Sequence, residues 1–439
     1  MTSARPLVAK EIRALLPVWV ASVLAIGAAV LGAPRSHELG LIAYGFGSVA
    51  LGAQSIGHEY THRTLALLLS QPSSRRRLLL LKLAVLTAML LMLAAFAWLT
   101  LLRPGERTWI LASLLNALCL APLLTMVART PLAGIVFSGA APLWLLVISR
   151  YVSAGVLWGS LLTLSAAAAG AGWRMFMRLE AIEGRDQDMR LPRLLRGWTG
   201  AIDAPSAAAA GARHPVWLLV KKELHLQHMT FAVAVVSGLF WIAEFAFTKI
   251  VPGYEGLPRH VITVLYGALL ALLIGSLASA EERQLGTLEW QVLMPMPMWK
   301  QWAVKVGTAL GLAALFSFAL PVVLAEGHVS INALHGGVIV LLTTGSLYVS
   351  SLCRTALRAL IVSGALVVGL SFLASVWPPA WSFPPLAALV ALVLWSALAL
   401  WFGLENHRSG EHSARRVCGQ LLWMAGCVGL GAGVVRLLP

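Results

Sequence analysis

Residues 79–102 read LLLKLAVLTAMLLMLAAFAWLTLL, twenty-four positions carrying a single charge, Lys82. At about 1.5 Å per residue such a helix is about 36 Å long, enough to cross a hydrocarbon core of about 30 Å. The run is continuously apolar rather than alternating, which excludes a barrel strand. Working outward from it, comparable runs lie at 14–33, 40–57, 109–128, 131–149, 154–176, 229–250, 261–280, 303–325, 332–352, 357–377, 382–402 and 417–435, thirteen in all. The bulk composition agrees: 59% of the 439 residues are hydrophobic and 12% charged, against about 25% charged in soluble domains. The expected fold is an all-α integral membrane protein.

The net charge of +15 would point a soluble protein toward nucleic acid. Its distribution points elsewhere. With the N-terminus inside, the inner loops hold 26 of the 33 Lys and Arg; the outer ones hold Arg35, Arg103, Arg107, Arg150, Lys249, Arg259 and Arg436. That bias is the positive-inside pattern, facing anionic lipid. It sets the N-terminus in the cytoplasm and removes the case for nucleic acid. The first apolar run is longer than a signal-peptide core of about 7–15 residues and is read as a span. The four cysteines, Cys119, Cys353, Cys418 and Cys427, have no metal-ligand spacing and are read as packing residues. The expected location is the inner membrane of a bacterial cell.

The chain repeats. Glu59, Thr64, Leu65, Pro72 and Lys82 recur 223 residues later as Glu282, Thr287, Leu288, Pro295 and Lys305. Arg129-Thr130 and Ser138-Gly139-Ala140 recur at an offset of 225 as Arg354-Thr355 and Ser363-Gly364-Ala365, and Lys10-Glu11 recurs at 212 as Lys222-Glu223. An even number of spans per half makes the repeats parallel. The expected domains are a six-span half at 1–180, a cytoplasmic linker at 181–216, a second six-span half at 217–405, and a C-terminal segment at 406–439 with one further span.

In each half the second and third spans are joined by about 20 polar residues, far more than a simple turn needs: HEYTHRTLALLLSQPSSRRR at 58–77 and EERQLGTLEWQVLMPMPMWK at 281–300. The pattern predicts a short surface helix in each. Ser279 and Glu282 fit a capping box at its start, Glu59, Glu281 and Glu282 would face the positive end of its dipole, and Pro72 and Pro295 would end it. The sequence Glu282-Arg283-x-x-Gly286-Thr287-Leu288-Glu289, then Pro295 and Lys305, resembles the signature of ABC exporter permeases of the type 2 branch. The segment around Lys222 and Glu223 is similar to that family's N-terminal interface helix, with Lys10 and Glu11 as the first-half pair.

The resemblance implies that these connectors are coupling helices docking on a separate cytoplasmic ATPase subunit. Its contacts would be Glu59, Arg63, Thr64 and Leu65 in the first half and Glu281, Glu282, Arg283, Gly286, Thr287, Leu288 and Glu289 in the second. The first half departs from the signature, with Arg63 for Gly286 and Ala66 for Glu289. A Walker-type nucleotide site needs Gly-Lys-Ser/Thr, and no lysine here follows a glycine. ATP and Mg would thus be bound by the partner, in two ATPase copies. A homodimer or a further membrane subunit is also open.

Two other readings compete. His58-Glu59-x-x-His62 is the H-E-x-x-H zinc protease motif. The second half keeps the glutamate but not the histidines, and no third ligand follows, so neither a metal site nor a catalytic residue is expected. A secondary active transporter could share parallel six-span repeats, but the spans here are nearly free of charge. Glu244, the one acid well inside a span, is a translocation-pathway candidate. A nearly uncharged pathway suits an apolar or amphiphilic cargo.

Overall fold

The computed structural model describes residues 4–31, 37–62, 64–69, 74–101, 107–148, 153–178, 215–250, 259–286, 296–324, 333–376, 385–409 and 413–437. Among them every regular element is helical and none is a strand. Eight helical stretches are long and apolar enough to span a membrane: Pro6–Leu31, Arg75–Leu101, Arg107–Ala128, Gly155–Met177, His228–Ala246, Met298–Leu324, His335–Leu352 and Leu389–Ser409. The chain is thus an all-helical membrane protein. The other five expected spans are helices too, but by length and composition only eight of the thirteen stand out among the described residues. Leucines such as Leu31, Leu99, Leu422 and Leu430 lie exposed on the helix surfaces, where lipid rather than water suits them.

The chain divides into two compact units, Met1–Ala208 with Val368–Val376, and Ala209–Val367 with Trp377–Pro439. The first unit contains α1 (Ala4–Leu31), α2 (His37–Thr61), the short α3 (Leu65–Leu69), α4 (Arg75–Leu101), α5 (Arg107–Leu115), α6 (Ala121–Ala128), α7 (Pro131–Ile148) and α8 (Ala154–Met177). A π-helical turn, Asn116–Leu120, joins α5 to α6. Helix α2 is central, packing on α1, α4, α6 and α7. Ile56, Leu79, Met126 and Phe176 form a buried cluster at one end of this unit.

The second unit contains α9 (Pro215–Leu226), α10 (His228–Ile250), α11 (Arg259–Leu285), α12 (Met298–Leu312), α13 (Leu320–Leu324), α14 (Ala333–Leu352), α15 (Ala356–Val376) as far as Val367, α16 (Pro385–Ser409) and α17 (Ala414–Leu437). A π-helical segment, Ala313–Ala319, joins α12 to α13. Helix α11 packs on α14, α14 on α16, and α16 on α17. The extra C-terminal helix is held by a buried polar network. Tyr348 donates from its hydroxyl to Gln420 (2.9 Å), and Gln420 donates to Asn406 Oδ1 (3.0 Å).

Close crossings recur at equivalent positions. A Cβ on Gly52 would meet the Ala117 carbonyl oxygen at 2.0 Å; on Gly275, 223 residues later, it would meet Ser346 Oγ at 1.9 Å and the Thr343 carbonyl oxygen at 2.6 Å. Small residues let helix backbones approach in lipid. The repeated Arg-Thr pairs also acquire a local reason. Thr130 Oγ1 accepts from the Ala133 amide and Thr355 Oγ1 from the Arg358 amide, each at 3.3 Å. Both threonines cap the helix that follows, α7 and α15.

Candidate functional site

In the first unit three helices bring charge to one end. Glu11 lies near the start of α1, Glu59 near the end of α2, and Lys82 two turns into α4. The Lys82 ammonium donates to Glu11 Oε1 at 2.7 Å and to Glu59 Oε1 at 3.0 Å. It also reaches the Ser55 carbonyl at 3.3 Å. Lys10 holds Glu59 from the outer side at 2.9 Å. Thr64 Oγ1 donates to Glu59 Oε2. Two lysines and two glutamates thus form a neutral quartet in which Glu11, Glu59 and Lys82 are buried.

The second unit carries the same quartet on α9, α11 and α12. The Lys305 ammonium pairs with Glu282 Oε2 at 2.7 Å and with Glu223 Oε1 at 3.2 Å. It donates to the Ala278 carbonyl at 2.6 Å. Lys222 pairs with Glu282 and lies 3.8 Å from Glu223. Every member matches its counterpart at the sequence offsets of 212 and 223, and so does the carbonyl that each buried lysine reaches, Ser55 or Ala278.

Burial alone would push these carboxyls up, but the lysines overcome it at two of them. Burial raises Glu59, yet Lys82, Lys10 and Thr64 hold it down at about 2. Burial raises Glu282, yet Lys305 and Lys222 hold it well below the usual carboxylate range. Glu223 goes the other way: burial and the nearby Glu282 carboxylate lift it, although Lys305 and Lys222 pull it down. A buried ion pair adds little net stability, but removing one partner strands the other charge. The quartets are therefore clamps that fix three helix ends to one another.

The glutamates do not sit where a capping box would put them. Helix α2 runs on to Thr61 and α11 to Leu285, so Glu59, Ser279, Glu281 and Glu282 lie at helix C-terminal ends. There the dipole opposes a carboxylate, and the buried lysine compensates. Glu59 and Glu282 are each 0% exposed, facing inward onto the lysines. Lys10 and Lys222 form the outer members of the quartets, with Glu11 and Glu223 buried beside them.

The remaining predicted residues are spread along the connectors. Thr64 and Leu65 start α3, a helix of only five residues. Gly286 ends α11 with φ +73°, the left-handed turn that favours glycine at a helix C-terminus. Arg283 is half-buried in the last turn of α11, and Glu281, its carboxyl lifted to about 8 by burial, lies beside Glu282. Arg63, Thr287, Leu288, Glu289, Pro72 and Pro295 lie outside the described residues. Glu244 is buried on α10 and belongs to neither quartet. On α3 Leu67 is exposed and Leu68 buried.

The H-E-x-x-H motif is occupied differently from a zinc site. The His58 and His62 rings stack edge-on with centroids 4.4 Å apart, while Glu59 between them already holds two ammonium groups. A carboxylate so engaged does not serve as a general base. Among the described residues no group of three or more His, Cys, Asp or Glu is arranged to hold a metal.

Comparison of the chain with known protein families, with curated proteins and with solved structures finds no match.

Proposed function

We propose that the chain is the permease subunit of an ATP-driven exporter, built from two duplicated six-span halves. The observation that carries this reading is the pair of matched quartets. In each unit the quartet ties the helix end that leads into the long connector to the start of the next long helix and to the N-terminal helix of the unit. A force applied at the connector would thus move three helices together, as coupling to a motor protein demands. The resemblance of residues 282–289 to the coupling signature of type 2 ABC permeases, and the absence of a Gly-Lys-Ser/Thr motif, support placing ATP and Mg in a separate cytoplasmic ATPase, in two copies.

On this reading the quartets transmit and the connectors dock. The exposed Leu67 on α3 is then a contact for the ATPase, with Thr64 fixing the root of that helix to Glu59. The cargo is apolar or amphiphilic, since the spans carry so little charge. The location is the bacterial inner membrane, N-terminus inside, following the charge bias.

The test is affinity purification of the tagged chain from its native host. An ABC ATPase is expected to accompany the wild-type protein and to be lost from Leu67→Glu, with the thermal unfolding midpoint unchanged. Recovery of the folded chain without any ATPase overturns the proposal.

A further inference from the structure

A cleft of about 430 Å³ opens beside the first quartet, lined by Pro6, Ala9, Lys10, Arg13 and Ala14 of α1 and by His58 of α2. The α1 residues recur at helical spacing and so share one face. The lining holds two cations, an imidazole and no carboxylate. The quartet's own charges cancel, so Arg13 leaves this end of the unit net positive. The lining residues of α1 occupy the first turns of the stretch Pro6–Leu31, ahead of and at the start of the apolar run at 14–33, which sets the cleft at headgroup level when α1 spans a membrane.

The equivalent place in the second unit has different chemistry. At the same offsets His58 becomes Glu281, Arg13 becomes His225 and Ala9 becomes Lys221. A carboxyl thus stands where the first unit offers an imidazole. The pairing of a guanidinium with an imidazole, without a carboxyl beside them, is therefore particular to the first unit.

We propose that this cleft binds the phosphate group of an anionic phospholipid in the leaflet on the connector side. The Arg13 guanidinium presents a planar fork suited to two phosphate oxygens. His58 supplies a neutral N–H, since burial and the neighbouring His62 lower its imidazole to about 4. Lys10, already on Glu59, adds a second cation, while Pro6, Ala9 and Ala14 give the glycerol region an apolar wall. The inference needs the chain to lie in a membrane and does not need an ATPase partner, so the two proposals fail separately.

The experiment uses the full chain in phosphatidylcholine nanodiscs doped with a phosphatidylglycerol bearing a diazirine in its acyl chain near the glycerol. After irradiation, labelled peptides are located by mass spectrometry. Labelling is expected within residues 4–31 and should fall about tenfold in Arg13→Gln, the loss expected for one charge-assisted hydrogen bond. Arg13→Lys should restore part of it, and His225→Gln should leave it unchanged. Because Arg13 is exposed, its substitution leaves the fold intact, which the unfolding midpoint checks. Equal labelling in Arg13→Gln overturns the proposal. So does displacement of the lipid by an equal concentration of inorganic phosphate, which would make the cleft a site for the free anion.

Discussion

In the first unit the quartet is anchored to one continuous helix, α1; in the second the corresponding stretch breaks at Gln227 into α9 and α10. Gln227 is buried, donates from its side chain to the Ile274 carbonyl at 2.9 Å and accepts from Thr230. Its counterpart at the offset of 212 is Leu15, a buried apolar residue inside α1. The same clamp is thus mounted two ways. In the first unit it is fixed to a span; in the second it sits on a separate twelve-residue helix. Identical ion chemistry therefore need not mean identical mobility. In the second unit, which also carries the Glu282–Glu289 sequence, the Lys-Glu pair at 222–223 is thus not continuous with a span, although Lys305 is.

The most severe way to break the comparison is to remove each buried lysine in turn. Lys305→Met and Lys82→Met should each destabilise their own unit by about 3–5 kcal/mol, because two carboxylates lose the cation between them. Hydrogen exchange resolved by peptide should show loosening confined to α9, α11 and α12 for Lys305, and to α1, α2 and α4 for Lys82. Loosening in one variant but not the other would end the equivalence of the quartets.

A smaller effect tests the shared crossings. Gly52→Ala and Gly275→Ala place a Cβ about 2 Å from an oxygen of the facing helix, an overpacking worth about 1–3 kcal/mol each. The Gly52 variant should cost more, because its closest backbone atom, the Ala117 carbonyl oxygen, lies at 2.0 Å, whereas with Ser346 turned aside the closest to Gly275 is the Thr343 carbonyl oxygen at 2.6 Å. Unfolding midpoints of the two variants decide this.

The smallest effect per step is in pH, and its sign differs between the units. The imidazole of His58 titrates at about 4 in the folded state, below its ordinary value. The unfolded chain then binds more protons, and stability rises with pH until His58 is neutral in both states. The carboxyl of Glu281, at the equivalent position, is lifted to about 8. There the folded chain binds more protons, so stability is fully present below the ordinary carboxylate range and is lost as pH rises toward 8. Each group contributes at most about 1.4 kcal/mol per pH unit. From pH 5 to 7, exchange at the end of α2 should slow and exchange at the end of α11 should quicken. His58→Gln and Glu281→Gln should each flatten the slope in its own unit.

Much of this architecture was legible in the sequence. Continuous apolar runs mark helices that lipid must cover, and the offsets of 212, 223 and 225 align residues that make like pairings within each unit, Lys82 with Glu11 and Glu59, and Lys305 with Glu223 and Glu282. Thr130 and Thr355 could be paired from sequence because a cap is local, made with an amide three residues on. The quartets were half legible. Lys82 and Lys305 were visible as a repeated lysine early in an apolar run, and the Lys-Glu pairs at 10–11 and 222–223 as a repeat, but nothing local joins them. The capping reading of Glu59 and Glu282 failed for the same reason: dipoles and caps reward a glutamate at a helix start, and only the distant lysine explains one buried at a helix end.

By itself the sequence determined that the chain is helical, apolar enough for a membrane, and repeated in pattern, because composition and periodicity are properties of neighbours along the chain. Tertiary structure alone decided which way Glu59 and Glu282 face. Their partners lie 23 to 71 residues apart along the chain from one another in the first unit, and a charge leaves the surface only when folding brings its counter-charge to meet it.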